Sequence, residues 1–472
     1  MKNIPSKWSP LASISRGARR GCSSAAWQLL PSVLLGFTFA QGSAAQQSAS
    51  VHLTLDQALD LALKQNRSVR LRSLAVEDMR SKKDEARSNY MPQMKASGSV
   101  LHVTELAGVE IPAGAFGKFP STGPVPSRSL VIDQGADTAF TGGVGLDQPL
   151  TQLFRIHHLN VAAGQDVLTA RTQLDQTEDD IALQTRQLYY SILIDRQRLE
   201  AAQEQLAAAR VKDSEAQSDV KRGNALDIAT IQSEASILEV RQKSLTLKLQ
   251  GEDLERQLAD LLGLPVDTRI TLDPDPPSQA IGIPPRSEAI HLAMETNQDI
   301  VVARLMLEKA KAQLAAAKDA YIPDITALSR YSYQSGVPLL VHNFGTFGFN
   351  LSYDLFDGGR REAQVREART GVTSAQLTVD KLESQISVQV QAAYDRFEEL
   401  KEMVDVAEQA VKVRTEAARL VDRQLEQNAA LVSAQSQAHA DLSNATASLL
   451  EARLNLSLAE ADVKRTIGQM PK

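Results

Sequence analysis

Phe344 to Arg361 reads FGTFGFNLSYDLFDGGRR. From Thr346 to Leu355 polar and apolar positions alternate without a break. Phe347, Phe349, Leu351, Tyr353 and Leu355 point one way; Thr346, Gly348, Asn350, Ser352 and Asp354 point the other. A period of two marks a strand with one apolar and one polar face. An aromatic-rich face on a strand this long fits the hydrocarbon side of a membrane barrel, and it also fits the core face of a soluble sandwich. The flanks separate the two readings. Asp357-Gly358-Gly359 ends the strand, and a helical pattern reaching Gln427 follows at once.

The bulk composition agrees with long helices. The chain has 472 residues, 43% apolar but only 4% aromatic, the balance of extended packed helices and not of a compact mixed domain. Residues 1–45 carry Lys2, Lys7, Arg16, Arg19 and Arg20, no acidic residue, an apolar stretch from Ala25 to Ala40, and small residues at Ser43-Ala44-Ala45. This reads as a secretory signal cut near Ala45. Its removal leaves a chain more acidic than the full net charge of −6, which argues against nucleic acid as a partner. Cys22 precedes the apolar stretch in no lipid-anchoring context, so the mature chain has no cysteine and its fold is held without disulfides. No other segment is apolar enough to span a membrane as a helix. Entry into a bilayer must therefore use strands.

An internal duplication runs through the rest. LDQALDLALKQNRSVR (55–70) matches SEAIHLAMETNQDIVVAR (287–304), bringing Asn66 onto Asn297. Tyr90-Met91-Pro92 and Tyr321-Ile322-Pro323 follow at the same offset. The expected organisation is a first repeat over 46–272, a Pro-rich linker over 273–285 and a second repeat over 286–472. Each repeat reads as one opening helix, two strands, and a long helical hairpin. In the first, Thr54 or Asp56 caps the helix and Pro92 ends it; the strands fall near 93–104 and 138–150, and the hairpin over 154–263. In the second, the strands fall near 324–334 and 345–356 and the hairpin over 359–468. The strand-connecting loop is long in the first repeat (about 105–136) and short in the second, near Gly336, as suits the outer rim of a barrel.

The hairpin helices carry coiled-coil seams. Apolar or small residues recur in steps of three and four at Val372, Ala375, Val379, Leu382, Ile386, Val390, Ala393 and Phe397, with one stutter after Ile386. The helices break at Gly223-Asn224 and at Asn428, residue types that accept the left-handed backbone a helix end needs. The hairpin tips are therefore placed there.

Only four strands per chain are available, too few to close a membrane barrel alone. Three chains give twelve strands and two give eight; twelve leaves room for a lumen. The expected fold is a trimeric twelve-stranded β-barrel, four strands per chain, continuing into an α-helical barrel with a two-fold internal repeat. Asp147, Asn350 and Asp354, on polar strand faces, are the candidate lumen residues.

At this point the chain resembles the TolC-type outer-membrane efflux protein family. The resemblance is carried by the repeated Leu/Ala helix with Asn66 and Asn297, Tyr-x-Pro before the strands, Leu355-Phe356-Asp357-Gly358-Gly359, and Gly223 followed by Ala225-Leu226-Asp227. It covers residue 51 to the end. It implies an outer-membrane location in contact with lipid, a homotrimeric duct with a long periplasmic extension, and docking of the hairpin tips to a periplasmic adaptor and an inner-membrane pump. The corresponding tip residues are Gly223, Asn224, Asp227, Gln427 and Asn428. Some family members narrow the entrance with carboxylates just after the second hairpin; here Asn428 to Ser433 has none, so Asp227 is the available acidic residue. The second hairpin also lacks the tip glycine, with Gln427 in its place.

Nothing in the sequence assembles a catalytic or metal-binding group. His157-His158 has no ligand-spaced carboxylate or cysteine beside it, and reads as a solvated helix start. No nucleophile elbow and no nucleotide-binding loop occur, so no cofactor is expected and energy must come from partners. The leading expectation is a passive exit channel of a tripartite pump or type I secretion system; the alternative is a periplasmic coiled-coil scaffold without a pore.

Overall fold

The computed structural model of the chain describes residues 50–104, 108–133, 138–273, 282–336 and 341–470. The signal reading over 1–45, the middle of the linker and parts of the strand-connecting loops lie outside the described residues.

The chain opens with β1 (Ser50–Leu53), α1 (Leu55–Gln65) and α2 (Arg67–Ser88). Thr54 caps α1 in a reciprocal box with Gln57. The single opening helix expected from the apolar period is two helices, broken at Asn66. That residue takes an extended ψ of 129°. Its Oδ1 accepts from Ser68 N and Val69 N, while its Nδ2 donates to Leu261 O at 3.0 Å. Asparagine can satisfy a helix start and a distant carbonyl at once because one amide carries both an acceptor and a donor.

The same device recurs between α5 (Arg286–Thr296) and α6 (Gln298–Lys318). Asn297 accepts from Asp299 N and Ile300 N and donates to Thr466 O at 2.8 Å. Asn297 is buried, so Asn297→Ala leaves donors and an acceptor unpaired. A loss of about 2–3 kcal/mol is expected, read as a lower urea midpoint. Asn297→Asp, which keeps the cap but not the donor, should fall between.

Four long strands form one antiparallel sheet in the order β10-β9-β7-β2: β2 (Gln93–His102), β7 (Thr138–Pro149), β9 (Asp324–Ser335) and β10 (Asn343–Ser352). Between β2 and β7 the described loop carries two short ladders, β3 (Gly108–Ile111) with β6 (Leu130–Asp133) and β4 (Lys118–Phe119) with β5 (Gly123–Pro124). Because β10 ends at Ser352, Asp354 is not a strand residue, contrary to the alternating pattern. The chain turns there. The Asp354 carboxylate pairs with Arg360 at 3.1 Å, and its carbonyl accepts from the Arg361 guanidinium.

Beyond the sheet lie α3 (Gln152–Lys221) with α4 (Ile228–Leu261), and α7 (Arg360–Glu426) with α8 (Val432–Thr466). At 70 residues, α3 is about 105 Å long. The helices pack in the order α4, α3, α8, α7. On α7 the seam residues Val379, Ile386, Val390 and Ala393 are buried, as the three-and-four spacing requires.

The main core forms where α1, α3, α4 and α8 meet a two-stranded parallel ladder of β1 with β8 (Arg269–Leu272). Tyr189 is wholly buried there, and its hydroxyl proton is shared between Leu53 O and Asp273 O. Burial pushes its phenol up to about 12. A second core gathers Ala289, Ala293, Ile300, Ile386, Val390, Val463 and Ile467. There Tyr394 donates to Pro284 O at 2.5 Å, so a tyrosine hydroxyl of each hairpin holds one end of the linker.

Candidate functional site: the sheet wall and the hairpin tips

The register assigns each strand residue to a face. Phe347 lies opposite Ser329, Phe349 opposite Ala327 and Leu351 opposite Ile325; Tyr331 lies opposite Val144, which lies opposite Ala96. Directly opposed residues share a face. One side of the sheet therefore carries Phe347, Phe349, Leu351, Tyr331, Val144, Leu146, Met94 and Val100. All are exposed, Phe347 by 90% and Phe349 by 76%. The other side carries Lys95, Ser97, Ser99, Thr141, Asp147, Arg330, Thr346 and Asn350. A continuous apolar surface of this kind, on a sheet whose other side is polar, fits hydrocarbon on one side and water on the other. Asp147 and Asn350 are exposed on the polar face; Asp354 is not part of it.

A tight junction joins sheet to helix. Gly358 and Gly359 take φ of 66° and 86°, a left-handed pair that a side chain would strain. Asp357 accepts from Gly359 N and from Arg361 N and Nε. The Arg361 guanidinium lies over the rings of Tyr353 at 4.7 Å and Tyr321 at 5.8 Å, placing a cation against two aromatic faces. Hydrogen bonding to Arg361 lowers the Asp357 carboxyl to about 2. A carboxyl held below its unfolded value of about 3.9 adds stability above that pH, and the contribution is lost as pH falls through about 2. The Tm gap between the parent chain and Asp357→Asn is thus expected to be widest at neutral pH and to close toward pH 2.

At the far ends of the hairpins the two turns share one geometry. Gly223, φ 77°, and Asn428, φ 58°, are the left-handed residues. Gly223 N donates to Val220 O and Asn224 N to Asp219 O; Asn428 N donates to Leu425 O and Ala429 N to Gln424 O. Both are Schellman ends. The residue standing in the glycine's place is therefore Asn428, and Gln427 is the helix cap before it. Asp227 is exposed at the start of α4. Apolar Leu226, Ile228, Leu431 and Val432 are exposed beside the turns. Glu215 on α3 accepts from Ser433 N at 3.0 Å and so caps α8 from the other hairpin. Sequence alone carried no signal for that contact, since the pair is 218 residues apart.

The helical layer, like the sheet, has two open edges. Ile231, Leu238 and Leu245 on α4, and Val406, Val413 and Leu420 on α7, are exposed and recur every seventh residue. Among the described residues these seams have no partner.

Comparison with known proteins agrees with this arrangement. The family model described as Outer membrane efflux protein matches residues 58–264 and 289–469. The outer membrane efflux protein BepC of Brucella suis biovar 1 (strain 1330) is 23% identical over 372 residues, 78% of this chain and 73% of BepC. Among solved structures, the open-state MtrE outer membrane channel of Neisseria gonorrhoeae is 18% identical with a TM-score of 0.67, covering 95% of this chain and 99% of MtrE. A membrane protein of Pseudomonas aeruginosa is 20% identical with a TM-score of 0.69, covering 90% and 92%. These structures share the fold. The family model covers most of the chain in two segments, and the chain belongs to the outer membrane efflux protein family, a family of transport proteins of the outer membrane.

Proposed function

We propose that three copies of this chain form one continuous duct, a twelve-stranded barrel in the outer membrane leading into a helical tube in the periplasm. The observation that carries this reading is that both layers end in open edges. The edge strands β10 and β2 run antiparallel to one another in the sheet order, so β10 of one copy can pair with β2 of the next and keep the barrel antiparallel throughout. Unpaired backbone groups in hydrocarbon would otherwise cost several kcal/mol each.

The helical edges match in the same sense. Ile231 and Leu420 stand the same number of residues from the left-handed residue of their own turn, and so do Leu238 with Val413 and Leu245 with Val406. These matching spacings from the two tips suit the packing of α4 of one copy on α7 of the next. The paired asparagine joints at Asn66 and Asn297 support reading the halves as repeats of one unit.

The polar sheet face, with Asp147 and Asn350, then lines the lumen, and the apolar face meets lipid. The exposed apolar residues beside Gly223 and Asn428 suit docking to a periplasmic adaptor that connects the duct to an inner-membrane pump. The duct itself is passive; the solute is moved by the pump. A strain lacking the chain is expected to become sensitive to the pump's solutes, or to lose a secreted product. Unchanged sensitivity to every toxic solute together with unchanged secretion would contradict the proposal.

A further inference from the structure

On the polar face of the sheet, one cross-strand row carries two cations and no carboxylate. Lys95 on β2 lies opposite Gly145 on β7, and Gly145 lies opposite Arg330 on β9. Lys95 and Arg330 therefore flank a position with no side chain, their backbones two strand spacings or about 10 Å apart. The Arg330 side chain reaches across β7 over this gap, and its Nη2 donates to Ser97 Oγ on β2 at 3.2 Å. The next residue of β7 on that face is Gly143, where a Cβ would stand 2.6 Å from Tyr331 O, so this floor stays bare along two rows.

Both cations are exposed. Among the described residues neither has a carboxylate within ion-pair distance. Asp147, diagonal to both and one row nearer the helices, is the nearest acidic residue by register. The row and its neighbour thus keep a net charge of +1 per chain. After the bond to Ser97, the guanidinium still has N–H donors free, and Lys95 and Ser97 project from β2 on the same face, beside Gly145 and Gly143.

We propose that Lys95, Arg330 and Ser97 frame a site for a phosphate- or sulfate-bearing anion above Gly145, and that its repetition around the lumen makes the barrel favour polyanionic solutes. The inference rests on the polar face being the lumen of the trimer. Arginine supplies a planar fork matched to a tetrahedral oxyanion and lysine a point charge. A ring of excess cations in a narrow passage concentrates the opposite ion.

The test uses inorganic triphosphate as the probe and the full chain in detergent. Calorimetric titration reads binding; conductance across a planar bilayer, with triphosphate added on the strand side, reads block. Binding and voltage-dependent block are expected for the parent. Each of Lys95→Gln and Arg330→Gln should weaken both by about tenfold. Gly145→Asp should abolish both while folding normally, because a Cβ there meets only Lys95 O, at 4.0 Å. A parent that conducts but binds no triphosphate, or variants that bind it as tightly as the parent, would overturn the site. A parent that binds triphosphate but passes no current would instead sink the lumen reading.

Discussion

Phe347→Arg is expected to destabilise the assembled protein by about 2–4 kcal/mol per chain, because in the proposed barrel it sets a charge in the hydrocarbon near the middle of β10. The side chain is 90% exposed in the isolated chain, so in water the substitution would be close to neutral. The size of the effect therefore reports the surrounding medium, not a lost contact within the subunit. Asn350→Arg is the matched control. It lies three residues along the same strand on the opposite face, and its arginine would sit in an aqueous lumen with little cost. Unfolding by urea from lipid vesicles separates the two variants. Equal effects would place both faces in the same environment and remove the reason for a barrel.

Gly468→Ala is the second large effect. Gly468 has φ 72°, and a Cβ there would stand 2.3 Å from Thr296 O and 2.8 Å from Thr296 C. That carbonyl cannot move freely, since Thr296 precedes the buried Asn297 joint and its hydroxyl donates to Ile467 O. Left-handed strain of about 1–2 kcal/mol and overpacking of about 1–3 kcal/mol add to roughly 2–5 kcal/mol. Gly223→Ala isolates the first of these: φ is 77° but nothing lies within 4 Å, so only about 1–2 kcal/mol is expected. The urea midpoints of the two variants should therefore differ clearly. Similar midpoints would mean that the joint yields.

The strands and hairpins were legible because each is set by a local period, two in β10 and three-and-four in α7. The errors fall where a single side chain overrides the period. Alternation continues through Tyr353 and Leu355, yet Arg361, held by Asp357 and two tyrosine rings, turns the chain after Ser352. The apolar period likewise runs through Asn66, whose amide breaks the helix to reach Leu261. The β1–β8 ladder went unread because four-residue strands have too little pattern and their partner is far along the chain. At the second tip, Asn428 and not Gln427 takes the left-handed position, which a gapless comparison with Gly223 misplaces by one. Of the candidate lumen residues, Asp147 and Asn350 lie on the polar face, whereas the cation row of Lys95 and Arg330 emerges only from the register, since it joins residues distant in sequence.

Closure by neighbouring copies is tested most directly by paired cysteines on the two open helical edges. Cys22 is the only cysteine in the sequence, so in a Cys22→Ser background Leu238→Cys with Val413→Cys introduces one defined pair per chain. Under oxidation the account predicts a covalent ladder on denaturing gels that stops at three subunits and is absent from either single variant. Single subunits only, or a ladder that runs past three, would contradict it.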